Sequence, residues 1–489
     1  MRTEDLTRLL PRLAYAAMAL FYLLAACLDQ QISFSIDSWS YQELARSFAG
    51  DAPYQPVLLR SFWSLQHSAS FPPGYPYLLH LVQGVFGDSP LVAVWLCVAA
   101  ALLTPLIGAR LARVLGMASD AGLLAGVALL GYGHYFDEVL AARSIPLALA
   151  AGLGGLCLLL ESRSLARALA AGALLGFACL VRFDQLLMML LAYGLAWRRG
   201  TRPRWLLCAA LASLTALLPW MVMSWQFFGR IWASDNSWVA LASTGQNVTQ
   251  FPAASPGTLF NAPLDFAMKC LHNLARLGYF ALRFGVPGAW HVLALVCLWA
   301  MVRWRERGDS AVRRHADLLF IVCAALLPQV LTGYSDPRYL SMLVLVVALL
   351  CLADLYGVAN RPWRIGYPTL AVAAVSLALL PGAAWVLGRQ QHAAEYARKK
   401  QFEEQLLASL ARCQSGEPQV RYVFPRIYGT HAARYAAQRG GRSSLTPSGF
   451  EIFSDAQRRE FETALRPMRY VRLVDDPAAL TCEQLLGNP

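Results

Sequence analysis

Apolar residues occur along this chain in long blocks, separated by short polar connections that are rich in arginine. A helix that spans a bilayer needs about 20 mostly apolar residues. The pattern therefore predicts an all-α polytopic membrane domain with about eleven transmembrane helices. The predicted spans lie near residues 13–28, 89–109, 121–136, 144–160, 166–181, 185–197, 205–223, 287–302, 317–333, 340–356 and 366–387.

Arginines occupy alternate connections between these predicted spans. They are Arg2, Arg8 and Arg12, Arg110 and Arg113, Arg163 and Arg167, Arg198, Arg199, Arg202 and Arg204, Arg303, Arg305, Arg307, Arg313 and Arg314, and Arg361 and Arg364. With eleven spans all of them fall on one side, and the positive-inside rule makes that side cytoplasmic, together with the amino terminus. The outward-facing segments are then 29–88, 135–143, 182–184, 224–286, 333–338 and the tail after Arg389.

The composition agrees with a membrane protein. Of the 489 residues, 57% are apolar and 15% are charged, which is too little charge for a soluble protein of this length. The formal net charge of +12 comes from arginines in short connections, so it indicates topology and not a nucleic-acid partner. No CxxC or Cys/His metal spacing occurs, and whether a metal binds is left open.

The first outer loop, residues 29–88, contains two predicted interfacial helices. Residues 38–49 are amphipathic, and we expect Trp39, Leu44 and Phe48 to rest on the bilayer surface. Residues 75–86 are apolar but too short to span the bilayer comfortably, which suits an interfacial or re-entrant helix.

The tail is predicted to form a separate unit. Residues 1–388 would form the transmembrane domain, and residues 389–489 are polar with short apolar stretches, which favours a small α/β domain outside the membrane. Cys413 and Cys482 both lie in this polar region, so a disulfide between them is plausible if the compartment is oxidising.

Asp37 is the leading candidate for a catalytic residue. It follows the first apolar block within Ser-Phe-Ser-Ile-Asp-Ser-Trp, where a carboxylate held at the membrane surface can act as a general base. The spacing alone also allows Asp37 to be the N-cap of the helix that follows it.

Other charged residues lie at predicted outer helix ends, and each has a structural and a functional interpretation. Asp137 and Glu138 either form a local ion pair with Arg143 or supply a second acid. Arg182 and Asp184 either pair with each other or serve an anionic substrate. The remaining candidates are Asp336, Arg338, Tyr339 and His67, of which Arg338 could bind a phosphate bidentately and His67 is more typical of a surface histidine.

Several of these stretches, taken in order, resemble the bacterial GT-C glycosyltransferases. The stretches are Asp37-Ser38-Trp39-Ser40-Tyr41 with Ala45 a turn later, Phe71-Pro72-Pro73-Gly74-Tyr75-Pro76, Leu180-Val181-Arg182-Phe183-Asp184-Gln185-Leu186-Leu187, Leu218-Pro219-Trp220 with Phe228-Gly229, and Asp336-Pro337-Arg338-Tyr339-Leu340. This superfamily includes protein O-mannosyltransferases and the aminoarabinose transferases that act on lipid A. Phe183 and Asp184 depart from the usual Pro-Glu, and Ser341-Met342 from the usual Leu-Pro.

The resemblance implies an integral glycosyltransferase of the bacterial inner membrane, with a periplasmic active site and a periplasmic tail. The donor would be a polyprenyl-phosphate sugar, and the acceptor a protein, lipid A or a cell-surface glycan. The implied roles are Asp37 as general base, Asp137 or Glu138 as second acid, Arg143, Arg182 and Arg338 with Tyr339 for the donor phosphate, and Tyr75, His67, Asp184 and Asp336 as further substrate contacts. No cofactor is certain, and a divalent metal remains an open option.

Two other functions remain as alternatives. A flippase of lipid-linked sugars should carry ionisable or helix-breaking residues at mid-membrane, whereas the charges here lie at helix ends. A glycan polymerase or ligase shares the donor class but normally has a larger outer loop late in the chain.

Overall fold

The computed structural model is mostly helical. It describes residues 3–29, 35–49, 71–234, 240–243, 258–284, 317, 321, 326–333, 340–359, 401–402, 404–406, 408–413, 422–424, 443–445, 469–471 and 481–487. The helices are α1 Thr3–Asp29, α2 Ile36–Ser47, α3 Gly74–Phe86, α4 Pro90–Val114, α5 Ser119–Leu130, α6 Gly133–Leu140, α7 Ile145–Leu160, α8 Leu165–Val181, α9 Gln185–Arg198, α10 Pro203–Phe228, α11 Pro263–Phe284, α12 Ser341–Ala359 and α13 Cys482–Leu485.

The helices of residues 71–234 pack side by side and define two ends of a bundle. At one end, the Cys97 thiol near the start of α4 donates to the carbonyl oxygen of Arg143, just before α7, over 3.2 Å. At the other end, Arg110 near the close of α4 forms an ion pair with Glu161, which follows α7. We call these the Arg143 end and the Arg110 end. Since α8 returns antiparallel to α7, Val181 and Arg182 lie at the Arg143 end.

Glycines allow the closest helix contacts. A Cβ atom built on Gly172 of α8 would lie 2.0 Å from the carbonyl oxygen of Ala209 in α10, and one on Gly176 would lie 2.7 Å from that of Ser213. This Gly-xxx-Gly spacing is typical of membrane helices whose backbones touch. The Ser213 hydroxyl adds a hydrogen bond to the Gly172 carbonyl (2.8 Å).

Within the described residues, three helices are long and apolar enough to cross a membrane by length and composition. They are Leu9–Leu28, Pro90–Val114 and Pro203–Phe228. The pair α6 and α7 passes the same test together but is bent by 107°, so it is either a broken span, which would be the fourth, or a re-entrant loop. A multi-pass membrane protein is therefore confirmed. The count of about eleven stays a prediction, since the spans predicted at 287–302 and 366–387 lie outside the described residues.

The two helices predicted in the first outer loop are present, but one expectation about them is wrong. Trp39 and Leu44 of α2 are 3% and 1% exposed, so they pack inside the protein and do not rest on the bilayer. Both helices are held together by Gln83, whose amide donates to the Gln42 carbonyl oxygen over 2.7 Å. Two consecutive segments of the loop thus become part of the packed core.

The described parts of the tail contain a small four-stranded sheet. Its strands are β1 Tyr422–Phe424, β2 Ser443–Leu445, β3 Arg469–Val471 and β4 Leu486–Gly487, in the order β2-β1-β3-β4. β1 pairs in parallel with β2 and β3, and β4 is antiparallel to β3. Cys413 and Cys482 are disulfide-bonded with Cα atoms 5.3 Å apart, which confirms the predicted pairing. The boundaries 1–388 and 389–489, and the outer location of the tail, stay predictions.

Candidate active site

Asp37 lies in the first turn of α2 and is not its N-cap. The capping residue is Ser35, which has an extended backbone and precedes Ile36, the first helical residue. The Ser35 backbone N–H donates to the Ser38 hydroxyl oxygen over 2.9 Å, and the two hydroxyl oxygens are 3.1 Å apart. The cap is thus built from serines, and the structural interpretation of Asp37 as a cap is wrong. Its carboxylate is partly exposed at the position where helix dipoles favour negative charge.

Arg143 connects the start of α2 to α6. Its Nε donates to the Ser35 hydroxyl oxygen over 3.0 Å, and its Nη1 forms an ion pair with the Glu138 carboxylate. The Glu138 side chain is 2% exposed and that of Arg143 is 21% exposed. The predicted local pairing of Glu138 with Arg143 is confirmed, while its neighbour Asp137 is exposed on the same helix.

The turn between α6 and α7 is held by side chains from α3 and α4. Ala142 in this turn has a φ of 52°, a left-handed conformation that non-glycine residues seldom adopt. Its carbonyl oxygen accepts a hydrogen bond from the Tyr75 hydroxyl over 2.8 Å. Burial, with contributions from Cys97 and Tyr41, raises the pKa of Tyr75 well above its usual range, so the phenol stays protonated as a donor. Tyr75 therefore supports the turn that carries Arg143.

Tyr41 lies one helical turn after Asp37 in α2 and contacts the α6–α7 turn. Its hydroxyl lies 2.9 Å from that of Ser144, and its ring meets the rings of Phe71 and Tyr75 edge-on at 4.9 and 4.8 Å. The Pro-Pro-Gly-Tyr-Pro turn, the Asp37 helix and the α6–α7 turn consequently form one packed unit.

The close approach of Gly74 brings the end of α8 to this unit. A Cβ atom on Gly74 would lie 2.7 Å from the Leu180 carbonyl oxygen, so only glycine fits here. Two residues later Arg182 pairs with Asp184, with Nη2 and Oδ2 2.8 Å apart, which confirms their predicted pairing. Both side chains are about one-fifth exposed, at 19% and 20%, so the pair can still be reached from outside.

Between Arg182 and Asp184, Phe183 points into an aromatic cluster. Its ring centroid is 5.5 Å from that of Trp220 in α10 and 5.3 Å from that of Trp232. These aromatic contacts join the segment that carries the Arg182–Asp184 pair to α10.

The structure brings together part of the predicted site. Asp37, Asp137, Glu138, Arg143, Tyr75, Arg182 and Asp184 all belong to the Arg143 end. His67, Asp336, Arg338 and Tyr339 lie outside the described residues. Sequence reasoning missed Ser35 and Ser144, and only the cap-forming preference of serine could have indicated the first.

A buried lysine was also missed. Lys269 of α11 is 5% exposed, and its ammonium donates to the carbonyl oxygens of Ala240 and Ala242. Burial lowers the pKa of Lys269 to about 8. Four residues later, Asn273 donates to the Val330 carbonyl oxygen over 2.8 Å, so the polar face of α11 is turned into the protein.

No group of three or more metal-ligating side chains lies close enough to hold a metal ion within the ranges described above.

No protein-family model matches the chain, and no curated protein sequence matches it. Solved structures do. ArnT from Cupriavidus metallidurans, in a crystal structure with undecaprenyl phosphate bound, is similar with a TM-score of 0.55 at 14% identity, over 91% of this chain and 90% of that one. The chain has a GT-C glycosyltransferase-like fold. The apo form of ArnT gives a TM-score of 0.51 at 14% identity, covering 93% and 92% of the two chains.

A second enzyme is similar in fold. The oligosaccharyltransferase of Archaeoglobus fulgidus, in a complex with zinc and sulfate, gives a TM-score of 0.53 at 13% identity. That match covers 90% of this chain and 62% of the larger enzyme. The GT-C resemblance read from the sequence is therefore confirmed at the level of the fold.

Proposed function

We propose that this protein is a glycosyltransferase that moves a sugar from a polyprenyl-phosphate donor to an acceptor hydroxyl on the periplasmic face of the inner membrane. The observation that carries the proposal is the placement of Asp37. A partly exposed carboxylate lies in the first turn of α2, at the end of a GT-C-like bundle where Arg143 and Arg182 also lie. This combination supplies a base and cationic groups for an anionic donor.

Asp37 acts in this proposal as the general base. It takes the proton of the acceptor hydroxyl while that oxygen forms a bond to the anomeric carbon of the sugar. The bond between the anomeric carbon and the phosphate oxygen breaks, and the polyprenyl phosphate leaves with the bonding electrons. A single displacement of this kind inverts the anomeric configuration. Asp137, exposed on α6, is the proposed second acid that orients the acceptor.

The departing lipid phosphate requires cationic stabilisation. Arg182, Arg338 and Arg143 are the proposed contacts, assisted by the Tyr339 hydroxyl. Arg182 already holds Asp184, so an incoming phosphate would compete with or extend that pair. ArnT was crystallised with undecaprenyl phosphate, which supports a polyprenyl-phosphate donor for this chain.

A flippase of lipid-linked sugars is the second candidate, because the fold alone does not exclude movement of the intact lipid. The two functions differ in chemistry. A transferase releases free polyprenyl phosphate and a flippase does not.

The proposal is tested by adding purified wild-type protein and Asp37→Asn to polyprenyl-phosphate sugars extracted from producing cells, with an extract of their envelope as acceptor. Loss of sugar transfer in a variant that expresses and inserts normally supports the base. Transfer at the wild-type rate would remove Asp37 from the mechanism.

A further inference from the structure

The Arg143 guanidinium uses different nitrogens for two partners that are far apart in the sequence. Nε donates to the hydroxyl of Ser35, 108 residues away, and Nη1 pairs with Glu138 one turn earlier on α6. Because the guanidinium is planar and rigid, two such contacts fix both its position and its orientation. The pair with Glu138 therefore places the Arg143 Nε–H where it can donate to Ser35.

The Glu138 carboxylate can hold the Arg143 side chain in place, but it is too buried to contact a substrate. Its side chain is 2% exposed, whereas its neighbour Asp137 is exposed. A buried carboxylate needs charged or hydrogen-bonding partners to compensate its lost hydration. Separating Arg143 from Glu138 would therefore be costly, because it would leave a buried charge without compensation. The ion pair accordingly holds the Arg143 side chain in a fixed position at the α6–α7 turn.

Ser35 transmits this constraint to the helix that carries Asp37. The later part of α2 is held by other contacts, Tyr41 with Ser144 and Arg46 with Asp88. Helix ends fray unless they are capped, and Asp37 lies in the first turn, two residues after Ser35. The Arg143 contact thus acts on the N-cap of α2, next to the first turn that carries Asp37.

We propose that Glu138, Arg143 and Ser35 form a positioning relay that aims Asp37 at the acceptor hydroxyl, with Glu138 and Ser35 as positioning residues. This inference rests on the proposed role of Asp37 as base. It changes the part played by Glu138 from a second acid to the support of Arg143. Arg143 has five N–H donors, so holding Ser35 and Glu138 leaves donors for the phosphate.

The experiment measures kcat and the KM for the extracted polyprenyl-phosphate sugar donor in full-length protein carrying Ser35→Ala, Ser35→Thr, Glu138→Gln or the double change S35A/E138Q. None of these removes the Arg143 charge, and Ser35→Ala also leaves the Arg143–Glu138 pair in place, so the S35A variant separates an effect on Asp37 from an effect on donor binding. Glu161→Gln is the matched control, because it breaks an Arg–Glu pair at the Arg110 end of the bundle.

We expect kcat to fall about 10- to 100-fold in S35A and in E138Q, since small displacements of a reacting group cost this much. The donor KM should change by less than about twofold in S35A, which leaves Arg143 paired with Glu138, and should also rise in E138Q, because Arg143 loses the carboxylate that orients it. S35T should regain most of the rate because its hydroxyl can still accept from Nε. The double variant should fall no further than the worse single variant, because both changes break one relay. E161Q should keep the wild-type kcat.

Three results would overturn the relay: wild-type kcat in S35A and E138Q, a change confined to the donor KM, or losses that multiply in the double variant. Asp37→Asn, measured alongside, separates the two proposals. If D37N is inactive while S35A and E138Q are unimpaired, only the relay fails. If D37N retains the wild-type rate, the base assignment fails and the relay with it.

Discussion

Replacing Gly172 by alanine should separate α8 from α10. The new methyl group would lie 2.0 Å from the Ala209 carbonyl oxygen and 2.7 Å from its carbonyl carbon. Real Cβ contacts of this kind are longer than 3.0 Å, so one backbone must retreat by more than about 1 Å. Backbone atoms on both sides cannot rotate away as a flexible side chain would.

Gly154→Ala in α7 is a matched control. Its Cβ would meet only side-chain carbons at 3.8 Å, from Ile107 and Leu174, which is ordinary contact. Both substitutions gain the same helix propensity of about 1 kcal/mol. The difference between the variants therefore isolates the packing cost, which for overpacking is about 1–3 kcal/mol.

The assay is the melting temperature of each purified variant in the same detergent, together with the yield of monodisperse protein. We expect Gly154→Ala to melt at or above the wild-type temperature and Gly172→Ala to melt several degrees below it. The displacement of α10 should also lower sugar transfer, since Trp220 of α10 packs against Phe183, which lies between Arg182 and Asp184. Equal melting temperatures for the two variants would refute the backbone contact between α8 and α10.

Three further predictions concern stability. Replacing Cys413 and Cys482 by serine should lower the free energy of unfolding of the tail by about 4 kcal/mol, because the disulfide closes a loop between residues 69 positions apart. Limited proteolysis of the intact protein should then cut the tail faster, and unchanged resistance would contradict this. Asp317→Asn should lower the free energy of unfolding by about 2–3 kcal/mol, because it removes the buried carboxylate that accepts hydrogen bonds from Arg199 and forms an ion pair with Arg198 at the end of α9. An unchanged melting temperature would count against it. Between pH 8 and about 10.5, the free energy of unfolding of the wild type should rise relative to that of Lys269→Met, because in that window the unfolded lysine still binds a proton that the folded one has lost. A fall with pH would contradict the lowered pKa.

Much of the helical framework follows from the sequence. Apolar blocks of membrane length predicted α1, α4 and α10, because span length is set by the bilayer and needs no tertiary information. Local ion pairs such as Arg182 with Asp184 could also be predicted, since the partners are close in the chain. The pairing of Cys413 with Cys482 followed from their shared polar region.

The details of the site could not be predicted, for identifiable physical reasons. Ser35, Asp37 and Ser38 are all good cap formers within four positions, so spacing does not select the residue that caps α2. An amphipathic helical period is the same whether the apolar face meets lipid or protein, which is why the burial of Trp39 and Leu44 was missed. The contact of Arg143 with Ser35 spans 108 residues and leaves no local signal.

The most direct test of the account is the fate of the lipid part of the donor. Polyprenyl-phosphate sugars extracted from producing cells would be incubated with envelope extract and either wild-type or D37N protein, and free polyprenyl phosphate would be measured by mass spectrometry. We expect the wild type to release polyprenyl phosphate in step with glycosylation of an acceptor, and D37N to release none. A wild-type protein that leaves the donors intact, or a D37N variant that releases polyprenyl phosphate at the wild-type rate, would contradict it.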